Sequence, residues 1–249
     1  MRPIFGLSSC AARSRINNAL APLLVASPES GPPGSPNLSP MIPASSLREL
    51  HDTIRSCKDC GLYATRTQAV PGVGPCPADV MIVGEAPGFN EDRQGEPFVG
   101  AAGKLLDTLL ARISLSRADV YITNVLKCRP PMNRDPMPNE VEACSPYLKE
   151  QMALVKPKVV LILGRHALER LMPGQGSISR IHGTLIRRGD LAYVPLYHPA
   201  AALHNGSLVA DLERDFDALK RYLDQLLAPP PPPVVVGAPK PESEQLRLL

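Results

Sequence analysis

Ala78-Asp79-Val80-Met81-Ile82-Val83-Gly84-Glu85-Ala86-Pro87-Gly88 is the stretch that decides the fold. An apolar run of strand length stops at a glycine, and a tight loop carrying a carboxylate follows. A run apolar at nearly every position marks a strand buried on both faces, as in a parallel sheet. Val120–Val125, Lys158–Leu163 and Leu191–Leu196 read the same way, and Ile181–Arg188 is strand-like, joined to the last of these by a turn at Gly189-Asp190. Helical patterns lie between them. Gly103–Ile113 puts Leu105, Leu106, Leu109, Leu110 and Ile113 on one face, Arg165–Met172 is a short helix, and Ser207–Leu227 is a long amphipathic one. Ser46-Leu47-Arg48-Glu49 opens a further helix with a capping-box pattern. Another helical stretch follows the Arg129–Asn139 loop and runs to Val155, with Pro146 at a first turn or a kink. Alternating strands and helices predict an α/β fold in three layers, α/β/α, around a central, mostly parallel four-stranded sheet.

This pattern occupies residues 45–227. Of the 29 prolines, 8 fall in residues 1–44 and 7 in residues 228–249, so two Pro-rich tails flank a single folded domain. The first tail reads as a disordered or misassigned N-terminal extension, although its Ser, Ala and Arg content also suits a transit peptide. Pro229–Pro233 in the second reads as a polyproline spacer, a weak docking site for a protein partner at most. No apolar run is long enough to span a membrane. The net charge is +3, of which the first tail carries +2. A domain this close to neutral has no global electrostatic footprint for nucleic acid, so any such contact is local.

Six cysteines do not form a disulfide framework in a domain of this size. Cys57-x-x-Cys60 is one pair, Cys128 and Cys144 form a second, and Cys10 and Cys76 stand apart. Paired cysteines beside loops point to a metal or cluster site, and four thiolates suit either zinc or iron–sulfur.

In parallel sheets, ligands bind beyond the carboxyl ends of the strands. Here those ends carry Gly84-Glu85-Ala86-Pro87-Gly88, Thr123-Asn124, Gly164-Arg165-His166 and Tyr197-His198-Pro199. The Gly84–Gly100 loop has neither Gly-Lys-Ser/Thr nor Gly-x-Gly-x-x-Gly, which argues against a nucleoside triphosphate. It offers carboxylates, backbone amides and the ring of Phe98 instead. A ring, an amide and an imidazole make a pocket for a planar heterocycle with donors and acceptors on its edge.

Four segments carry a resemblance. They are Gly84-Glu85-Ala86-Pro87-Gly88, Glu91-Asp92-x-x-Gly95-x-Pro97-Phe98-Val99-Gly100, Thr123-Asn124-x-x-Lys127-Cys128-Arg129-Pro130-Pro131-x-Asn133-Arg134, and His198-Pro199. Together they resemble the family 4 uracil-DNA glycosylases, iron–sulfur enzymes that start base-excision repair. Glu85 favours family 4 over the related family 5, whose broader base range is the alternative; a non-catalytic iron–sulfur or zinc module that binds DNA is another. The resemblance implies a [4Fe–4S] cluster on Cys57, Cys60, Cys128 and Cys144. It implies a substrate pocket of Glu85, Ala86, Gly88, Phe98, Asn124 and His198, with Phe98 stacking on uracil and Asn124 reading its edge. His198 would stabilise the departing uracil anion, and Glu85, Glu91 and Asn133 are the candidates to orient the attacking water. It implies a monomer acting on single- or double-stranded uracil-containing DNA, cytoplasmic in a bacterium and nucleoid-associated when bound. Leu203, just beyond His198, is a candidate wedge for the gap left by a flipped base. His166 and His182 read as surface residues or neighbours of helix and strand.

Overall fold

The computed structural model describes residues 46–227; both Pro-rich tails, Cys10 and the polyproline run lie outside the described residues. In chain order the elements are α1 (Leu47–Ser56), β1 (Val80–Gly84), α2 (Phe89–Gln94), α3 (Ala101–Arg112), β2 (Val120–Asn124), α4 (Pro138–Val155), β3 (Val159–Leu163), α5 (Arg165–Leu171), α6 (Ile178–Ile181), β4 (Ile186–Arg188), β5 (Leu191–Leu196), α7 (Pro199–His204) and α8 (Ser207–Leu226). The sheet runs β2-β1-β3-β5-β4. Its first four members are mutually parallel, and β4 is antiparallel to β5.

Alternating side chains divide the core into two layers. Val80, Ile82, Val120, Ile122, Leu161 and Val194 face α3, α7 and α8, where they meet Leu106, Leu109, Leu110, Leu212 and Phe216. Met81, Val83, Tyr121, Val160 and Ile162 face the opposite way, onto α4 and α5. A third cluster ties α1 to α4 through Leu50, Ile54, Leu126 and Tyr147.

The sheet differs from the four-stranded expectation in having five strands. The segment expected as one strand, Ile181–Arg188, divides into the end of α6 and the three-residue β4. Gly183 stands at the division with φ +71°, and its N–H donates to the Pro195 carbonyl at 2.8 Å. A Cβ there would lie 2.2 Å from Asp215 Oδ1, so the chain can turn so close to α8 only at glycine. Pro146 lies in the interior of α4, not in its first turn. The Gly84–Gly100 loop contains α2, a short helix closed by Gly95 at φ +78°. No helix among the described residues is long and apolar enough to cross a membrane.

Candidate active site

β1 and β2 run in register to their ends, so Gly84 pairs with Asn124. Just beyond these ends a cleft of about 280 Å³ opens. Glu85, Ala86, Gly88, Glu91, Phe98, Asn124, Asn133 and His198 all line it, so the structure gathers every expected pocket and water-orienting residue around one cavity. Leu203 does not line it; it lies on α7, half exposed.

Asn124 is fixed from behind. The buried Lys127 Nζ donates to the Asn124 carbonyl and, at 2.8 Å, to Thr123 Oγ1. Thr123 Oγ1 donates to the Pro71 carbonyl at 2.7 Å, and Gln151 Nε2 donates to that carbonyl and to the Tyr121 hydroxyl. The backbone of the strand end is thus anchored, while the Asn124 side-chain oxygen is buried without a hydrogen-bond partner. A buried acceptor left unpaired costs about 1–3 kcal/mol, and a ligand N–H would relieve it.

Phe98 adopts φ +56°, unusual for a residue with a side chain. Four backbone bonds impose it. Arg117 donates through Nη1 to the Pro97 carbonyl at 3.0 Å and through Nη2 to the Phe98 carbonyl, while its Nε meets Asp107 at 2.6 Å. On the other side, Glu91 Oε1 accepts from the Val99 and Gly100 N–H groups at 3.0 and 3.1 Å. Two glycines make the room. A Cβ on Gly103 would sit 1.6 Å from the Phe98 carbonyl oxygen, and one on Gly84 would sit 2.4 Å from Asn124 Oδ1 and 2.6 Å from the Phe98 ring. The Phe98 ring stacks on that of His198, with centroids 5.6 Å apart and planes at 25°.

His198 caps α7: its Nδ1 accepts from the Ala200 N–H at 3.1 Å. Nδ1 is therefore the unprotonated nitrogen, which leaves the proton on Nε2. Burial pushes the imidazole pKa down to about 4, so the ring is neutral at physiological pH and still a donor.

The three candidates for orienting water differ in spare capacity. Glu91 already accepts from three backbone amides, the third being Gly88 N–H at 3.1 Å. Asn133 is exposed, and its Oδ1 accepts from Arg129 Nε at 2.7 Å. Glu85 is partly buried, and burial raises its carboxyl pKa. Sequence reasoning missed the company it keeps. His166 Nε2 lies 3.9 Å from Glu85 and 3.4 Å from Asp135, which in turn pairs with Arg165 at 2.5 Å. His166 follows a strand end, which was its one sequence signal. His182 also has a specific partner, with Nδ1 2.7 Å from Asp215 and its ring against Tyr197, away from the cleft.

The four paired cysteines line a second chamber with Ile54, Tyr63, Arg66, Lys127 and Tyr147. Cys57 ends α1, Cys60 precedes a 3₁₀ turn, Cys128 follows β2 and Cys144 lies within α4. Exposed Cys76 lies outside it. Burial raises all four thiol pKa values, Cys128 to about 11 and Cys144 to about 12. Donors nonetheless aim at the sulfurs: Arg66 Nη1 at 2.9 Å from Cys128, the Lys127 N–H at 3.3 Å from Cys144 and the Asp59 N–H at 3.5 Å from Cys57. Such donors suit thiolates, and a bound metal is what deprotonates thiols in so apolar a place.

A parallel sheet with a base-sized cleft at its strand ends, walled by ring, amide and imidazole, defines a class of base-handling protein. The Uracil DNA glycosylase superfamily model matches residues 71–227. The chain is 49% identical over 179 residues to the type-4 uracil-DNA glycosylase of Archaeoglobus fulgidus, which covers 69% of this chain and 90% of that relative. It is 46% identical over 184 residues to the type-4 uracil-DNA glycosylase of Sulfurisphaera tokodaii, covering 70% and 84%. It is also 46% identical over 181 residues to that of Saccharolobus solfataricus, covering 69% and 84%. The chain belongs to the type-4 uracil-DNA glycosylases of that superfamily.

Proposed function

We propose that the protein hydrolyses the N-glycosidic bond of uracil in DNA, releasing uracil and leaving an abasic site for base-excision repair. The observation that carries this reading is the buried, unpartnered Asn124 Oδ1 in a cleft that His198 and Phe98 also line. A flipped uracil offers N3–H to that oxygen and O4 to the other half of the amide. Cytosine presents an acceptor at N3 and a donor at C4, so the anchored amide rejects it. Phe98 supplies a stacking face. As the bond breaks, negative charge gathers on uracil, and the neutral His198 donates from Nε2 to O2. Glu85 has the most acceptor capacity to spare among the water candidates and orients the attacking water. Glu91 and Asn133 hold the loops.

Cys57, Cys60, Cys128 and Cys144 would hold a [4Fe–4S] cluster. The four thiols line one chamber, which supports that reading. When bound, the cluster supplies a structural cross-link between α1, the strand β2 exit and α4. Identity of 46–49% to type-4 relatives, against 34% to a type-5 relative, supports uracil over the broader range of family 5. We place the enzyme in the cytoplasm with its DNA, as a monomer.

The test is incubation with a labelled uracil-containing oligonucleotide followed by alkaline strand cleavage. Cleavage at uracil alone supports the reading. Intact uracil strands, or equal cleavage at hypoxanthine and uracil, refute it.

A further inference from the structure

Phe89, the first residue of α2, is an aromatic ring half exposed to solvent. Two guanidinium groups flank it: Arg93 Cζ lies 5.5 Å from the ring centroid and Arg129 Cζ 5.2 Å. They come from different elements, Arg93 from the next turn of α2 and Arg129 from the loop after β2. Neither is ion-paired with a carboxylate among the described residues. Arg129 spends one N–H on Asn133 Oδ1 and keeps its terminal nitrogens. Cation–π attraction orders the two groups without neutralising them. Two like charges gathered on one ring repel each other, and an anion between or beside them relieves that repulsion.

The ring stands at the rim of the cleft. Gly88 precedes it, Pro130 follows Arg129, and Gly88, Pro130 and Asn133 all line the cavity. With a net charge of only +3 on the whole chain, a strand of DNA must be gripped at particular points.

We propose that Arg93, Phe89 and Arg129 form a phosphate clamp that holds the DNA backbone beside the flipped nucleotide. Phe89 presents the two guanidinium groups, and these take one or two phosphodiesters of the strand that carries the target base. The inference rests on the uracil reading for what enters the cleft, and on the paired arginines for how the flanking strand is held.

The test measures how binding of the full chain to an oligonucleotide containing a non-hydrolysable deoxyuridine analogue depends on salt. Removing one cation that neutralises a phosphate reduces the slope of log K against log salt by about 0.7–0.9. Arg93→Gln and Arg129→Gln should each show one such reduction, and Phe89→Ala should show part of one or more by releasing both side chains. Arg188→Gln removes the same charge from exposed β4 and should leave the slope at the wild-type value. Unchanged slopes in Arg93→Gln and in an Arg129→Gln protein of wild-type thermal midpoint would overturn the clamp. So would weaker binding of Phe89→Ala at constant slope, because the ring would then be stacking on a base. Failure of the uracil reading appears separately, as wild-type protein that binds the analogue strand no better than a thymine strand.

Discussion

Two replacements of His198 separate the jobs of its two ring nitrogens. Nδ1 caps α7, and Nε2 is left to donate into the cleft. His198→Ala removes both. His198→Asn keeps a side-chain oxygen that can accept the Ala200 N–H, since asparagine is a strong helix N-cap, but places no donor where Nε2 stood. One donor to a developing anion is worth about 10²–10³ in rate, or about 2.7–4 kcal/mol. One cap is worth about 1 kcal/mol of stability, about 2–4 °C in a domain of this size. Both variants should therefore slow single-turnover excision by about 10²–10³. Only His198→Ala should also lower the thermal midpoint by a few degrees. The low imidazole pKa adds a pH signature. The folded ring takes its proton at about 4 and the unfolded one at 6.5, so the unfolded state binds the proton first and wild-type stability falls as pH drops from 6.5 towards 4. That component should vanish in His198→Asn. Excision by His198→Asn within fivefold of wild type would refute Nε2 as the anion's donor.

Asn124→Ala should abolish measurable excision while leaving the thermal midpoint near wild type, and Asn124→Asp should admit cytosine because a protonated carboxyl reverses the donor order; competition between uracil and cytosine strands reads both. Arg117→Ala should release the Phe98 backbone and slow excision about tenfold or more, since strain of about 1–3 kcal/mol is held there, and Arg117→Lys should recover little because one ammonium cannot span two carbonyls and Asp107. Purified protein should absorb broadly near ~400 nm and hold about four irons, and Cys57→Ala or Cys128→Ala should lose colour and solubility together; a colourless protein with one zinc per chain would overturn the cluster.

The strand ends were legible because buried parallel strands are written as continuous apolar runs, and the polar residues that end β1, β2 and β5 fall at the cleft. Asn124 and His198 follow from that alone. The support behind them was not legible. Arg117 reaches Phe98 from beyond α3, and nothing in its local sequence distinguishes it from a surface arginine. The same holds for Asp135, which meets His166 and Arg165 from the loop before α4. Nor does composition reveal that the oxygens of Glu91 meet three backbone amides. β4 is too short for a periodic signal, and α2 lies in a stretch whose glycines and prolines read as loop.

The missing Cβ atoms at Gly84 and Gly103 have a consequence for heredity. A random library screened for loss of repair would return these two positions as intolerant as Asn124, though neither carries a group that can react. A selection map would therefore draw the outline of the pocket partly through the residues that keep out of it, and the cheapest way for a lineage to lose this activity is to gain a single methyl group.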